Sequence, residues 1–340
     1  MTTQLNIQMA DAFDGFSLAK RAKGLSASTI YLYEWTLRCW DQRWGKMTLG
    51  DVTAGHVRTW LIWLQGKDDF PAPQSDRGGL LSSRSVHTHF RNLAAFWTWC
   101  VREDLIARSP MANVETPGFD EKIPDCLTED EMQYLLRKVR GNEDRNAFRD
   151  YCIHLFFLAT GVRLAELAGL SLNDVDLRNG YARVLGKGRK ERMVSLGEVL
   201  PLELKRYTLK YRDAPDEKAL FVNERGFRFG RSGIQEMIER DLKKYIPRKL
   251  TKTGPHTLRH TWFTFRLRQT KDLKGTSMAG GHTDTRVTER YVHLALNDFT
   301  RGEDGRAYSP VDSILRKNGN GRKGDTLQKL DANRAITGAH

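Results

Sequence analysis

The sequence predicts a mainly α-helical protein with one small β-hairpin, an α+β fold arranged in two domains. Apolar residues recur at helical spacing through much of the chain, for example at Val86, Phe90, Leu93 and Trp97. Two short extended segments flank a glycine-rich, strongly basic stretch at residues 186–190, which is typical of a hairpin. The length of 340 residues and the hydrophobic content of 39% are sufficient for two buried cores.

The composition changes along the chain and predicts four segments. We expect a helical N-terminal domain at residues 1–112, a linker at 113–121, a second domain at 122–300 and a flexible tail at 301–340. The linker contains a Pro-Gly pair, which stops helices. The tail is rich in Gly, Asn, Asp, Arg and Lys and has few large apolar residues, so it should not build a core.

Capping residues and periodicity place the individual elements. N-terminal helices should begin after Ser28, near Val57 and at Ser82 or Ser83, where hydroxyl groups can cap a helix. In the second domain we predict helices at residues 129–140, 145–160, 198–212, 231–245, 256–269 and 284–297, and strands at 181–185 and 192–196.

The charge balance predicts a polyanionic partner. The formal net charge is +13 and the sequence pI is about 9.6, which favours nucleic acid but does not exclude a membrane surface. No apolar run approaches the roughly 20 residues that cross a bilayer, and the first ten residues do not resemble a secretory signal. We therefore expect a cytoplasmic protein with no membrane partner.

The four cysteines do not predict a metal site. Cys39, Cys100, Cys126 and Cys152 are widely spaced and form no Cys-x-x-Cys pair, so we interpret them as reduced core thiols.

Two clusters in the second domain carry residues suited to phosphate chemistry. Arg163 and Glu166 are three residues apart at the opening of a short helix, a spacing that by itself predicts a solvated ion pair. His256 and Arg259 have the same spacing. His256 and His260 are spaced to share a metal, but the glutamate of the zinc-protease motif is absent, so we predict none.

The remaining candidates are a lysine, a histidine and a tyrosine. Lys187 lies on the predicted hairpin tip, and His282 precedes Tyr291 by nine residues. Tyr291 lies on an apolar helical stripe and should point inward, as an ordinary core tyrosine would. Together with two arginines, however, these residues form the inventory that metal-free attack on a phosphodiester needs: cationic clamps, proton carriers and a nucleophile.

The order and spacing of these residues resemble the tyrosine recombinase (phage integrase) family over roughly residues 10–298. The matching segments are Thr-Gly-Val-Arg163-Leu-Ala-Glu166-Leu, Val-Leu-Gly-Lys187-Gly-Arg-Lys-Glu-Arg, Pro-His256-Thr-Leu-Arg259-His260, and Gly-His282 followed by Tyr291. The resemblance implies a helical core-binding domain and a mixed catalytic domain that close around DNA as a C-shaped clamp.

The resemblance also implies a role for each residue. Arg163 and Arg259 would clamp the scissile phosphate, Glu166 would brace the first arginine, and Tyr291 would attack to form a 3′-phosphotyrosine.

Proton transfer would fall to three further residues. Lys187 would protonate the leaving 5′ oxygen, while His256 and His282 would bond the phosphate and handle protons.

Basic residues outside this set are expected to contact DNA. They are Arg84, Arg91, Arg189 and Lys190.

The family resemblance implies a homo-tetramer that acts on double-stranded DNA with paired recombination sites, exchanges strands through a Holliday junction, and uses neither metal nor ATP. No extra domain is evident before the helical N-terminal domain, which favours a Xer-like or transposon-type enzyme over the subclass that binds separate arm sites. One departure from the family is that Met278-Ala279-Gly280 precedes Gly281, where the family often has a large apolar residue. Two alternatives are a type IB topoisomerase-like enzyme and a DNA-binding regulator without catalysis.

We predict that Lys187, and neither Arg189 nor Lys190, is the general acid. Arginine is too weak an acid, and the match to the family's Gly-Lys-Gly segment favours Lys187 over Lys190. Lys187→Ala should slow cleavage by about 10²–10⁴-fold with little loss of binding. DNA with sulfur at the bridging 5′ position should restore cleavage to this variant, because a thiolate leaves without a proton. Rescue of Lys190→Ala instead would contradict the assignment.

Overall fold

The computed structural model describes residues 7–67, 71, 73, 79–120, 124–141, 144–186, 191–214, 217–251, 253–281, 286–289, 291 and 292. The chain forms two units, Met1–Lys122 and Ile123–His340. Each unit has its own apolar core. Among the described residues, no helix combines the length and apolar character needed to cross a membrane.

The first unit is helical, and hydroxyl caps fix where its helices begin. Its helices are α1 (Met9–Ala22), α2 (Ala27–Trp44), α3 (Ala54–Leu64) and α4 (Ser83–Arg102). Ser26 accepts a hydrogen bond from the N–H of Thr29, so α2 starts before the predicted cap Ser28. Ser82, one of the two predicted caps of α4, accepts from the N–H of Ser85.

Aromatic residues fill the core of the first unit. Trp40, Trp60, Phe16 and Phe96 are fully buried, and their rings meet at tilted or edge-to-face angles. His89 of α4 is also buried. Its ring lies 4.6 Å from that of Trp35 and 6.1 Å from that of Trp60, between centroids.

The second unit is built around one central helix. Its helices are α5 (Glu129–Arg140), α6 (Arg145–Thr160), α7 (Leu164–Gly169), α8 (Val199–Arg206), α9 (Arg231–Tyr245), α10 (Pro255–Thr270), α11 (Leu273–Ala279) and α12 (Arg286–Glu289). Every residue of α6 from Phe148 to Thr160 is buried. Gly161 ends α6 in the left-handed conformation, where a side chain would also overlap the ring of Trp262. This close packing fixes the end of α6 against α10.

A three-stranded antiparallel sheet, in the order β1-β2-β3, lies beside these helices. Its strands are β1 (Val175–Asp176), β2 (Tyr181–Leu185) and β3 (Glu191–Ser195). Val184 pairs with Arg192, and the buried Val194 lies two residues further along β3. Because side chains alternate across a strand, Arg192 shares the inner face of the sheet with Val194.

The structure confirms the predicted fold class. Predicted helices 129–140, 145–160 and 231–245 have the observed bounds. Side-chain caps and glycine stops delimit the first two, whereas the third begins after Gly230 without a side-chain cap. The predicted helix 198–212 is shorter, since α8 passes into a single π turn at Tyr207–Tyr211. Of the predicted helix 284–297, only Arg286–Glu289 is described as α12.

The two-residue strand β1 was not predicted. The hairpin tip and the 301–340 tail lie outside the described residues. All four cysteines are free thiols; Cys39, Cys100 and Cys152 are buried as predicted, whereas Cys126 is only partly buried.

The buried His89 predicts acid sensitivity of the first unit. Burial lowers the pKa of His89 to about 4, whereas an unfolded histidine has a pKa of about 6.5. Between these two pKa values the unfolded chain binds a proton that the folded chain does not. The free energy of unfolding is therefore highest above about pH 6.5 and falls by roughly 3 kcal/mol in total as the pH approaches 4. His89→Phe should remove this loss, measured as the free energy of unfolding from tryptophan fluorescence between pH 7 and 4.5.

The matched control for this experiment is His87→Phe, on the same helix but partly exposed. A wild-type pH dependence in His89→Phe would contradict the prediction.

Candidate active site

The centre of the candidate site is the buried carboxylate of Glu166. Its side chain is 2% exposed and accepts four hydrogen bonds. Arg163 donates its backbone N–H at 2.8 Å and Nη1 at 3.0 Å, and Arg192 donates Nη1 at 2.6 Å and Nη2 at 3.0 Å. Burial alone would raise the pKa of Glu166, but the bonds from Arg192 and Arg163 outweigh it and lower the pKa. The spacing taken alone predicts a solvated pair, but the carboxylate is enclosed and only the side chain of Arg163 is partly exposed.

Arg192 is a site residue to which the sequence analysis gave no role. It occurs within the segment that resembles the family's lysine hairpin, but its contact with Glu166 depends on the register of β3. The sequence did contain a signal for the orientation of Arg192. It lies two residues before the apolar Val194, so in a strand the two side chains share one face. Arg192 holds both carboxylate oxygens of Glu166 and thereby joins the sheet to α7.

Three arginines converge on the carboxyl end of α11, where residues 279–281 present consecutive backbone carbonyls. The donor-to-acceptor distances are 3.3 Å from Arg192 Nε to Ala279 O, 2.7 Å from Arg259 Nη2 to Gly280 O, and 2.8 Å from Arg163 Nη2 to Gly281 O. A helix ends with unpaired carbonyls and partial negative charge, so cationic donors stabilise it. These bonds hold in place the chain that leads to position 282.

Arg259 is the most enclosed of these cations. It is 4% exposed, and its guanidinium also bonds the carbonyl of Gly161 at the end of α6. Burial, followed by the nearby charge of Arg163, lowers the pKa of Arg259 to about 9. An anion bound here would offset both effects and favour the charged guanidinium. The side chain of Arg163 is 35% exposed, so an approaching anion can reach it.

Tyr291 lies against α10 and is 2% exposed. Its ring stacks on that of Phe263, with centroids 4.9 Å apart and an interplanar angle of 4°. Its Oη is 2.6 Å from Nδ1 of His260. Tyr291 therefore points inward, as predicted, and its hydroxyl meets a histidine that the sequence analysis considered only as a metal ligand.

The other predicted site residues are placed less completely. His256 is exposed on the first turn of α10, and its ring centroid is 6.1 Å from that of His260. Arg84 and Arg91 are exposed on α4 in the first unit, where the Arg84 guanidinium lies 4.5 Å from the ring centroid of Phe119. Lys187, Arg189, Lys190 and His282 lie outside the described residues.

Gly280, which departs from the family pattern, is explained by packing. Gly280 has an ordinary helical backbone, with φ −74°, so its conformation does not require glycine. A Cβ at Gly280, however, would overlap the ring of Phe263. Phe263 thus fills the space that a large side chain at position 280 would occupy, and it also supports Tyr291.

This packing predicts that Phe263 and Gly280 are energetically coupled. Phe263→Ala should destabilise the protein by about 3–5 kcal/mol, because it leaves a cavity. Gly280→Leu should also destabilise it, through overlap with the ring. The double variant should be more stable than the sum of the two losses predicts, by about 1–3 kcal/mol in a double-mutant cycle of unfolding free energies. Additive losses would show that the two positions do not share this space.

Comparison with known proteins agrees with this geometry. Residues 125–297 match the model of the phage integrase family. The chain is 30% identical over 312 residues to "Tyrosine recombinase XerD" of Oceanobacillus iheyensis, covering 86% of this chain and 98% of that protein.

Solved structures with the same fold include two DNA complexes. A lambda integrase tetramer bound to a Holliday junction has a TM-score of 0.66 at 15% identity, covering 89% of this chain and 80% of that one. The Tn1549 transposon integrase in complex with a circular intermediate DNA has a TM-score of 0.68 at 18% identity, covering 92% and 99%. The family match and the full-length relative show that the chain belongs to the phage integrase family of tyrosine recombinases, enzymes that cleave and rejoin DNA.

Proposed function

We propose that the protein is a site-specific recombinase that cleaves each DNA strand by attack of Tyr291 Oη on the scissile phosphorus. The observation that carries this proposal is the convergence of Arg163, Arg259 and Tyr291 around the end of α11. Attack would break the bond from phosphorus to the 5′ oxygen and leave a 3′-phosphotyrosine. Rejoining would reverse these steps with a different 5′ hydroxyl, which exchanges the strands.

The two arginines would stabilise the charge that develops on the phosphate. Each guanidinium carries planar N–H donors that match two non-bridging oxygens. Glu166 and the carbonyls at the end of α11 fix the direction of both forks before DNA arrives. A preorganised cationic site of this kind needs no reorganisation when the transition state forms.

The remaining roles follow from the family resemblance. Lys187 would protonate the leaving 5′ oxygen, and His256 and His282 would bond the phosphate. Arg84, Arg91, Arg189 and Lys190 would contact the DNA backbone. The helical segment 1–112 would bind the core site together with the catalytic segment 122–300.

We also propose that the enzyme acts in the cytoplasm as a homo-tetramer on paired recombination sites. The lambda integrase tetramer on a Holliday junction and the Tn1549 integrase on a circular intermediate support this assembly and a role in mobile DNA. A net charge of +13 would favour binding to the phosphate backbone.

Tyr291→Phe tests the nucleophile. The change removes the attacking oxygen and retains the ring that stacks on Phe263. The variant should bind a cognate site with unchanged affinity yet form no covalent complex with a nicked DNA substrate, assayed on a denaturing gel. Tyr245→Phe, at the partly exposed end of α9, is the matched control and should form the adduct normally. A denaturation-resistant adduct from Tyr291→Phe would show that another residue attacks.

A further inference from the structure

The surroundings of the Tyr291 hydroxyl contain a group that the proposed mechanism leaves without a role. His260 directly follows Arg259 on α10, and the two side chains bond different groups. Arg259 bonds the carbonyls of Gly161 and Gly280, whereas His260 places Nδ1 2.6 Å from Tyr291 Oη. Consecutive residues of one helix therefore serve the phosphate clamp and the nucleophile separately.

The contact has the geometry of a proton transfer. A phenol has a pKa of about 10 and an imidazole one of about 6.5, so a tyrosine at neutral pH needs a base before it attacks. When the imidazole carries its proton on Nε2, Nδ1 accepts the hydrogen bond from Oη. Stacking on Phe263 fixes the plane of the phenol ring and so holds Oη beside the imidazole of His260.

We propose that His260 is the general base that activates Tyr291, in place of the histidines assigned by resemblance. The proposal rests on Tyr291 as the nucleophile. In cleavage, the Oη–H proton passes to Nδ1, Oη bonds to phosphorus, and the bond from phosphorus to the 5′ oxygen breaks. The leaving oxygen takes its proton from the general acid. In rejoining, the 5′ hydroxyl gives its proton back to that acid and attacks phosphorus, and the departing Oη recovers its proton from Nδ1.

The described charges around the pair support this direction of transfer. The charges of Arg259 and Tyr291 act on each other, so the guanidinium stabilises negative charge that develops on Oη. His256 is a further described titratable group beside the pair, with its ring centroid 6.1 Å from that of His260. His256 is exposed on the first turn of α10. This position suits contact with DNA better than contact with the buried hydroxyl of Tyr291.

His260→Asn tests the proposal, because asparagine places a hydrogen-bonding group near the position of Nδ1 but does not accept a proton. Single-turnover cleavage of nicked DNA should slow by about 10²–10⁴-fold, with DNA binding retained. His56→Asn is the matched control. The Nδ1 of His56 accepts the N–H of Thr53 in a helix cap outside the site, and this variant should cleave at the wild-type rate.

A fluorinated tyrosine at position 291 distinguishes a role of His260 as a general base from a purely structural role. Fluorine lowers the pKa of the phenol, so the defect of His260→Asn should shrink by about tenfold or more when Tyr291 is fluorinated. A structural role would leave the defect unchanged, and the comparison within one variant does not depend on how well it folds.

Two results would overturn the proposal: wild-type cleavage by His260→Asn, or a defect of equal size with ordinary and fluorinated tyrosine. Tyr291→Phe is measured alongside, so that failure of the nucleophile assignment can be told apart from failure of the base assignment. An adduct from Tyr291→Phe would overturn the nucleophile assignment itself. An inactive Tyr291→Phe together with a fully active His260→Asn would overturn only the base.

Discussion

The buried carboxylate of Glu166 is the constraint on which the candidate site depends. An ionised carboxylate in a protein interior is costly unless cations and hydrogen bonds compensate it, and here Arg163 and Arg192 supply both. Removing one member of such a buried set typically costs about 3–5 kcal/mol, because the others remain charged without a partner. The carboxylate therefore determines where two guanidinium groups lie before any DNA is present, and it joins α7 to β3.

The same arginines reach beyond Glu166 to the end of α11, and Arg259 joins them from α10. Three elements that are distant in the sequence thus meet at residues 279–281. α10 contributes in three directions at once: Arg259 to the carbonyls, His260 to the tyrosine hydroxyl and Phe263 to the tyrosine ring. Because one rigid helix carries all three groups, their relative positions are fixed by its geometry.

Local signals made much of the fold predictable, whereas the missed parts depend on tertiary contacts. Amphipathic periodicity, polar caps such as Thr128 and Asp144, and glycine stops delimited helices of the second unit. The ordered spacing of the motifs predicted Arg163, Arg259 and Tyr291 as site residues. The role of Arg192 depends on which face of β3 it occupies and on how β3 pairs with β2. The contact between His260 and Tyr291 joins residues 31 apart, which no local pattern encodes. The enclosure of Glu166 was missed for the same reason.

Water reaches almost none of the Tyr291 side chain, because Phe263 covers one face of its ring. A phosphate ester formed on an oxygen in such surroundings would meet few water molecules able to hydrolyse it. The energy of the broken phosphodiester would then be conserved in the protein–DNA bond until a hydroxyl from DNA arrives. Under the proposed mechanism, the phosphotyrosine would store this bond energy, the enclosure would protect it from water, and a strand could be resealed without a nucleotide triphosphate.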